Sequence, residues 1–410
     1  MKELLQRLRN PDGEASYFAR GGFWLIAGYA VQVVLGLALA AILANLLSKD
    51  SYGTYQFIIS AGAIVGAFTL TGMGGALIPA VSRGNYGVLR YAVRKQFIWS
   101  AAIVAACVAA ALYYYLRGNQ TLAELMILLG LFQPVTTTFA LFRQYQYGRG
   151  RYRESTFLDT GIRVLTFLAL IVALFFTRNI VYIVLAFLGT QALSTCLAYV
   201  FIVYRNKLPY IEDAPTYEYA KHLSVMESLS ELAAVADKFL VWLFLGAAPL
   251  ATYALAQLPI MHLQSIFGFS RPLAFPRLAQ MDLAQIRMTL PQKMRVFFLV
   301  SLGAVAAYII IAPVFYKLVF PTYPEAVRYS QVLSLVVLAV PRTLISQAFY
   351  AHHRTRELYI INVSTPFVRT GLLALGVWQF GLAGAVGALL LSELYMAILQ
   401  VYFFNRIRAA

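Results

Sequence analysis

The sequence predicts an all-α integral membrane protein of twelve transmembrane helices in two similar six-helix halves. Three observations carry this expectation. The chain is 60% hydrophobic and 12% charged, with a mean hydropathy of +0.70, whereas soluble domains carry about 25% charged residues. Its apolar residues fall into long runs, and a helix needs about 20 such residues to cross a bilayer. Six runs precede the polar, proline-containing stretch Arg205–His222 and six follow it, and the two halves match in order. Tyr55 matches Tyr253, Pro79 matches Pro276, Phe97 matches Phe297 and Pro134 matches Pro341. Phe142, Arg149 and Tyr152 match Phe349, Arg356 and Tyr359, all 207 positions later, and Arg163 matches Arg369 at 206. Such an ordered set indicates a tandem duplication. The expected organisation is residues 1–208 for the first half, 209–222 for the joint and 223–410 for the second half.

The elements follow in order. Lys2–Arg9 places Leu4, Leu5 and Leu8 on one helical face, an interfacial helix that would end at Pro11-Asp12-Gly13. Segment one runs from about Gly22 to Leu47, too long and too poorly followed by small residues for a cleaved signal peptide. Segment two, about Thr54–Val81, is rich in glycines that let helices approach closely. Arg83–Gln96 is a basic amphipathic link. Segment three (Phe97–Leu116) ends in three tyrosines suited to a membrane interface. Segments four (Leu122–Tyr145), five (Ser155–Phe176) and six (Ile180–Tyr204) complete the half. After the joint come Leu223–Leu245, Leu250–Leu273, Val296–Leu318, Ala326–Tyr350, Leu358–Trp378 and Leu382–Phe404.

Charge sets the orientation. Of 33 Lys and Arg, 24 fall in the N-terminus and every second loop after it, while the alternate loops hold five: Lys49, Arg117, Arg178, Lys317 and Arg328. The positive-inside rule then places both termini and the joint in the cytoplasm. The net charge of +16 is therefore topology, and no nucleic-acid partner is expected. Cys107 and Cys196 lie in apolar runs and imply no disulfide. Neither a nucleotide-binding loop, a metal-ligand cluster nor a large extramembrane loop is present in the sequence, so no cofactor, metal or soluble catalytic domain is expected.

The remaining four cations, Arg163, Lys238, Arg342 and Arg369, lie inside the spans. Each costs roughly 2.5–3.5 kcal/mol to insert at a helix centre, so they should face protein or a wet cavity. Two readings stand: a cationic cavity that binds an anion, or structural pairing with acids. Asp159 lies one turn from Arg163 and Asp237 adjoins Lys238, whereas Arg342 and Arg369 have no acid near them on their own helices. Pro341 frees a carbonyl and permits a kink beside Arg342. Glu124 and Glu393 either snorkel or pair. Glu227 and Glu231 are four residues apart and share a helical face, a pattern suited either to a proton carrier, with Asp159 as the next candidate, or to snorkelling and pairing. The span glutamines (Gln32, Gln133, Gln191, Gln257, Gln264 and Gln347) suit sugar hydroxyls and equally suit helix–helix hydrogen bonds. His262 reads as a satisfied buried histidine.

These residues also carry a resemblance. The opening LANLLSKDSYGTYQFIISAGAIVGAFTLTGMGGALIPAVSRG (Leu43–Gly84) resembles that of bacterial lipid-linked oligosaccharide flippases. These form the polysaccharide-transporter branch of the multidrug/oligosaccharidyl-lipid/polysaccharide exporter superfamily. ADKFLVWLFLGAAPLATYALAQ (Ala236–Gln257) and FGLAGAVGALLLSEL (Phe380–Leu394) are similar to the same family. The resemblance spans nearly the whole chain, and its loose motifs mark family rather than substrate. It implies two pseudo-symmetric six-helix lobes around a central cavity that opens alternately to the two leaflets. The implied activity is translocation of an undecaprenyl-diphosphate-linked oligosaccharide across the inner membrane for surface polysaccharide such as O-antigen, without catalysis. Implied partners are the lipid-linked glycan, membrane lipids, polysaccharide polymerase and assembly proteins. Arg163, Arg342, Arg369 and Lys238 are the diphosphate candidates by depth and charge, since no fixed family motif transfers to them. A multidrug antiporter of the same superfamily is the alternative, disfavoured because its cationic cargo calls for acids that segment one lacks. A membrane glycan polymerase or ligase would need a long outer loop, and the outer loops here are short.

Reporter fusions near Ala248 and Gln379 should read periplasmic, and a fusion near Pro215 cytoplasmic. A periplasmic signal at Pro215 would overturn the twelve-segment count.

Overall fold

The computed structural model describes residues 14–268, 281–352 and 354–406. The Lys2–Arg9 helix, the loop cations Arg271 and Arg277, the end of segment eight and His353 lie outside the described residues. The regular structure of the described residues is all helical: α1 (Glu14–Leu46), α2 (Lys49–Ala67), α3 (Met73–Ser82), α4 (Val88–Trp99), α5 (Ala101–Leu116), α6 (Gln120–Phe139), α7 (Phe142–Gly148), α8 (Tyr152–Phe176), α9 (Ile180–Arg205), α10 (Ala214–Leu245), α11 (Ala247–Gly268), α12 (Leu283–Val319), α13 (Ala326–Ser334), a 3₁₀ turn (Leu335–Arg342), α14 (Thr343–Ala351) and α15 (Thr355–Asn405). Among them, eight helical stretches are long and apolar enough to cross a membrane, and the last, α15, holds segments eleven and twelve together. Segments two, seven and eight are not among the eight. The chain is a multi-pass membrane protein.

The chain divides into two compact units, Met1–Leu39 with Ile58–Leu232, and Ala40–Phe57 with Ala233–Ala410. The core of the first gathers Leu77, Ala92, Phe142, Tyr145 and Ile202. That of the second gathers Ile286, Leu290, Ile345, Phe349 and Phe404. The repeat-related Phe142 and Phe349 are each fully buried in the core of their own unit. Large apolar side chains such as Leu112, Val172, Phe175 and Ile310 are exposed, as lipid-facing residues must be where the solvent is hydrocarbon.

In the first unit, segment two is not one helix. It breaks between Ala67 and Met73. Such a break is tolerated when protein groups satisfy the freed backbone, and α10 supplies them. Ser228 Oγ donates to Ala67 O at 2.6 Å, and Ser224 Oγ accepts from Gly72 N at 3.0 Å. The basic link becomes helix α4 because it contains no proline or glycine after Gly87, and it runs into α5 with only Ser100 between. The joint is half helical. Asp213 Oδ1 accepts from Thr216 N at 2.9 Å, which caps α10, and Pro215 falls in the first turn where its missing N–H costs nothing. Its extended part is tied down by Asn85 Nδ2 donating to Asp213 and by Arg90 donating to Leu208 O.

In the second unit, residues 40–57 are fastened at several points. Asn45 Nδ2 donates to Val319 O at 2.8 Å, and Phe57 stacks on Trp242 with ring centroids 4.1 Å apart. Lys49 pairs with Glu325. Burial pushes the Glu325 carboxyl up, but hydrogen bonds from Lys49 and its own backbone, with the Lys49 charge, outweigh that and hold it below the usual value. The kink expected at Pro341 appears as the 3₁₀ turn Leu335–Arg342, the tighter winding that accommodates a lost backbone bond. Within α15 the chain folds back at Gly381, whose φ of 59° lies in the left-handed region that glycine enters freely. Its two legs meet backbone to backbone: a Cβ on Gly376 would lie 2.6 Å from Gly384 O.

Gly384→Ala should therefore force the two legs apart and destabilise the second unit by about 1–3 kcal/mol, the usual cost of overpacking. Thermal unfolding in detergent checks this, and an unchanged Tm would mean the legs are not so closely packed.

Candidate functional site

Three of the four candidate cations, Arg163, Arg342 and Arg369, lie within ion-pair distance of a carboxylate. On α8, Arg163 Nε contacts Asp159 Oδ2 at 2.8 Å, the one-turn pair visible in the sequence. A second arginine, Arg143 of α7, reaches the other oxygen, Oδ1, at 2.7 Å. One carboxylate between two guanidiniums leaves this cluster with one net positive charge, and it commits Asp159 to the arginines. On the 3₁₀ turn, Arg342 Nε donates to Glu393 Oε2 at 3.2 Å, with a second contact through its terminal nitrogen. Both side chains are largely buried, at 15% and 19% exposure. Arg342 lines an apolar cavity of about 440 Å³ with Met294, Phe298 and Phe404.

The third cluster is centred on Asp237 of α10, which is 2% exposed. Its Oδ2 accepts from Tyr253 Oη at 2.9 Å and from Gln257 Nε2 at 2.6 Å. These two side chains stand one turn apart on α11, so a single helical face delivers both donors. Oδ1 accepts the Lys238 backbone N–H at 2.8 Å. Arg369 of α15 approaches only to 3.8 Å, beyond hydrogen-bond reach, and its Nε is buried without a hydrogen-bond partner. Asp237 is thus satisfied mainly by neutral donors, and the Arg369 fork keeps donors to spare.

Beside this cluster lies a cavity of about 360 Å³, lined by Asp237, Lys238, Gln257, Gln264, Arg369 and Glu393 among others. Lys238 adjoins Asp237 in sequence, yet Asp237 does not pair with its ammonium. Among the described residues, Lys238 alone of the four candidate cations has no carboxylate within ion-pair distance. The structure therefore brings Lys238 and Arg369 to one cavity and places Arg342 in another.

Glu227 and Glu231 line a separate cavity of about 280 Å³ in the first unit, with Gln96, Gln133 and Gln144. Glu227 is half-buried and Glu231 exposed. Neither has an ion-pair partner among the described residues. Sequence reasoning missed the pairing of Glu393 with Arg342, the two neutral donors to Asp237, and Arg143 as second partner of Asp159. The Tyr253–Gln257 spacing was a usable signal for the donors. Nothing local signals a pair made between helices far apart in sequence.

The comparisons bear on the whole arrangement. A family model described as "Polysaccharide biosynthesis protein" matches residues 18–282. No curated protein matches the chain in sequence. Among solved structures, the inward closed conformation of the lipid II flippase MurJ is similar, with a TM-score of 0.70 and 14% identity over 93% of this chain and 87% of that one. A multidrug resistance MATE family transporter of the MOP superfamily is similar in its inward-facing conformation, with a TM-score of 0.66 and 14% identity over 91% and 94%. Its outward-facing conformation gives a TM-score of 0.63 and 15% identity over 95% and 94%. At these identities the likeness shows the fold alone.

Removing Asp237 leaves Arg369 without its acid and orphans Tyr253 and Gln257. Asp237→Ala should cost on the order of 3 kcal/mol, and adding Arg369→Leu should recover part of it. Equal Tm values for the wild type and Asp237→Ala would show that the cluster is not structural.

Proposed function

This chain belongs to the polysaccharide biosynthesis protein family, and on that premise we propose that it is a flippase for an undecaprenyl-diphosphate-linked oligosaccharide. It works in the cytoplasmic membrane with both termini inside, through twelve membrane segments in two six-helix lobes and by alternating access. The observation that carries the reading is the state of the cations. A diphosphate crossing hydrocarbon must be solvated by protein, and a cation already locked to a carboxylate has little left to offer it. Among the described residues, Lys238 is free of such a partner, and Arg369 keeps an unpartnered Nε beside the same cavity. Together they present a point charge and a planar fork, the two donor types that suit phosphate oxygens. Arg342 and Arg163 are taken as structural or auxiliary, because each is within hydrogen-bond reach of a carboxylate.

With no nucleotide-binding motif, an uphill drive would come from an ion gradient. Asp159 is committed to two arginines, so Glu227 and Glu231 are the carboxylates left to carry a proton. The glycan would be handed to polysaccharide polymerase and assembly proteins after translocation.

A multidrug antiporter remains the second reading, and one observation favours it: the Glu227–Glu231 cavity holds two carboxylates and no cation among its lining residues, which suits a cationic cargo. Deleting the protein separates the readings, since a flippase loss accumulates lipid-linked repeat units inside the cell while an antiporter loss raises drug sensitivity. Within the flippase reading, Lys238→Gln should lower surface glycan roughly 10–100-fold, the worth of one charged hydrogen bond, with the protein still in the membrane. Lys238→Arg should retain most of it. Full surface glycan from Lys238→Gln would remove the diphosphate assignment.

A further inference from the structure

The first unit holds a groove of about 380 Å³, lined by α4, Tyr199 of α9 and Tyr210 of the joint, that shares no residue with the cavities above. Helix α4 has two faces. Leu89, Ala92 and Val93 are buried in the first unit's core with Ala198 and Ile202 of α9. Arg90, Arg94, Phe97 and Ile98 are exposed. Their spacing of three and four residues sets them on one stripe, cations in the first two turns and apolar side chains in the third. Among the described residues, neither arginine has a carboxylate within ion-pair distance. Each is anchored through one terminal nitrogen to a neutral acceptor: Arg90 Nη1 donates to Leu208 O and Arg94 Nη1 to Tyr210 Oη, both at 3.2 Å. The acids of the joint are engaged elsewhere. Glu212 accepts from the Tyr210 hydroxyl at 3.2 Å, and Asp213 from Asn85 Nδ2 and Thr216 N. A guanidinium carries five N–H donors, so most of each fork stays open, and the anchors fix both forks before a ligand arrives.

Two cations one turn apart without an acid call for an anion, and their surroundings say which. Beyond Ser100, α5 continues the apolar surface with exposed Val104, Val108 and Leu112. The stretch formed by α4 and α5 is long and apolar enough to cross a membrane, and so is α9. The groove joins the first turns of one to the last two turns of the other. Such span ends belong at the headgroups, where aromatic side chains and cations concentrate. A soluble anion would have no use for Phe97 and Ile98. An anionic glycerophospholipid offers a phosphodiester to the arginines and acyl chains to the apolar half.

We propose that this groove binds an anionic glycerophospholipid of the surrounding bilayer, with Arg90 and Arg94 holding its phosphodiester and Phe97 and Ile98 its acyl chains. The same two arginines hold Leu208 and Tyr210, so the lipid bears on the side chains that fasten the joint to α4. The assignment does not depend on which cargo the protein moves.

The test titrates the purified full chain with phosphatidylglycerol or phosphatidylcholine of the same acyl chains and reads binding by native mass spectrometry. The wild type should prefer phosphatidylglycerol by roughly fivefold to tenfold, because the choline cancels the charge of an otherwise identical phosphate. Arg90→Gln combined with Arg94→Gln should abolish the preference, and the corresponding double lysine variant should keep part of it. Arg83→Gln, which removes an exposed arginine outside the groove, should leave it intact. Ile98→Glu alters neither anchor and sets an acid one turn from Arg94, so it should abolish the preference even where the double glutamine variant fails to fold. Equal wild-type affinities, a preference that survives Ile98→Glu or the double glutamine variant, or an equal loss in Arg83→Gln would overturn the site. Displacement of phosphatidylglycerol by equimolar glycerol phosphate would make the groove a soluble-anion site, and displacement by equimolar undecaprenyl phosphate a cargo site. Either result also overturns the proposal.

Discussion

The cost of a charge in hydrocarbon governs this molecule. An ionised side chain inside a span must find a partner or water, and here the partners are named. Asp159 divides itself between Arg143 and Arg163, Glu393 takes Arg342, and Asp237 is wrapped by Tyr253 and Gln257 with Arg369 at its edge. The Asp237 cluster matters most because it is incomplete. Two neutral donors already satisfy Oδ2, so Arg369 is neutralised by proximity without being consumed. Its neighbour Lys238, denied the Asp237 side chain, is left to the cavity. An acid that prefers neutral donors therefore keeps two cations available beside the second unit's cavity.

The same economy operates on the backbone. The break between α2 and α3 is tolerated because Ser224 and Ser228 of α10 take up the freed groups. That break also opens the wall of the first unit's cavity, since Thr69 and Thr71, which line it, belong to the interrupted stretch. Backbone irregularity and cavity coincide, as they do when non-helical backbone lines a polar space. The tight fold-back of α15 at Gly381 brings a helix leg carrying Arg369 and one carrying Glu393 into the second unit's cavity lining.

Much of this was legible in the sequence. The apolar runs gave the helices, because length and hydropathy are local properties. Pro341 signalled its irregular turn, and the i, i+4 spacing signalled Asp159 with Arg163. Segment two was less legible. Its glycines announced close packing, but the break needed two serines about 150 residues away. The basic amphipathic link Arg83–Gln96 buries one face, and its last residue, Gln96, lines a cavity, which no local signal marks. Pairs such as Arg342 with Glu393 depend on which helices become neighbours, and no single helix encodes that. Depth and charge single out Arg163, Lys238, Arg342 and Arg369 as candidates. They could not rank them, because rank depends on which carboxylate each one meets.

The most direct measurement is a density map of the full chain with a bound undecaprenyl-diphosphate-linked glycan. The account predicts diphosphate density in the second unit's cavity, with phosphate oxygens at hydrogen-bond distance, about 3 Å, from Lys238 Nζ and Arg369 Nε. Diphosphate density held by Arg163 or Arg342, with Lys238 left in water and Arg369 still turned to Asp237, would contradict it.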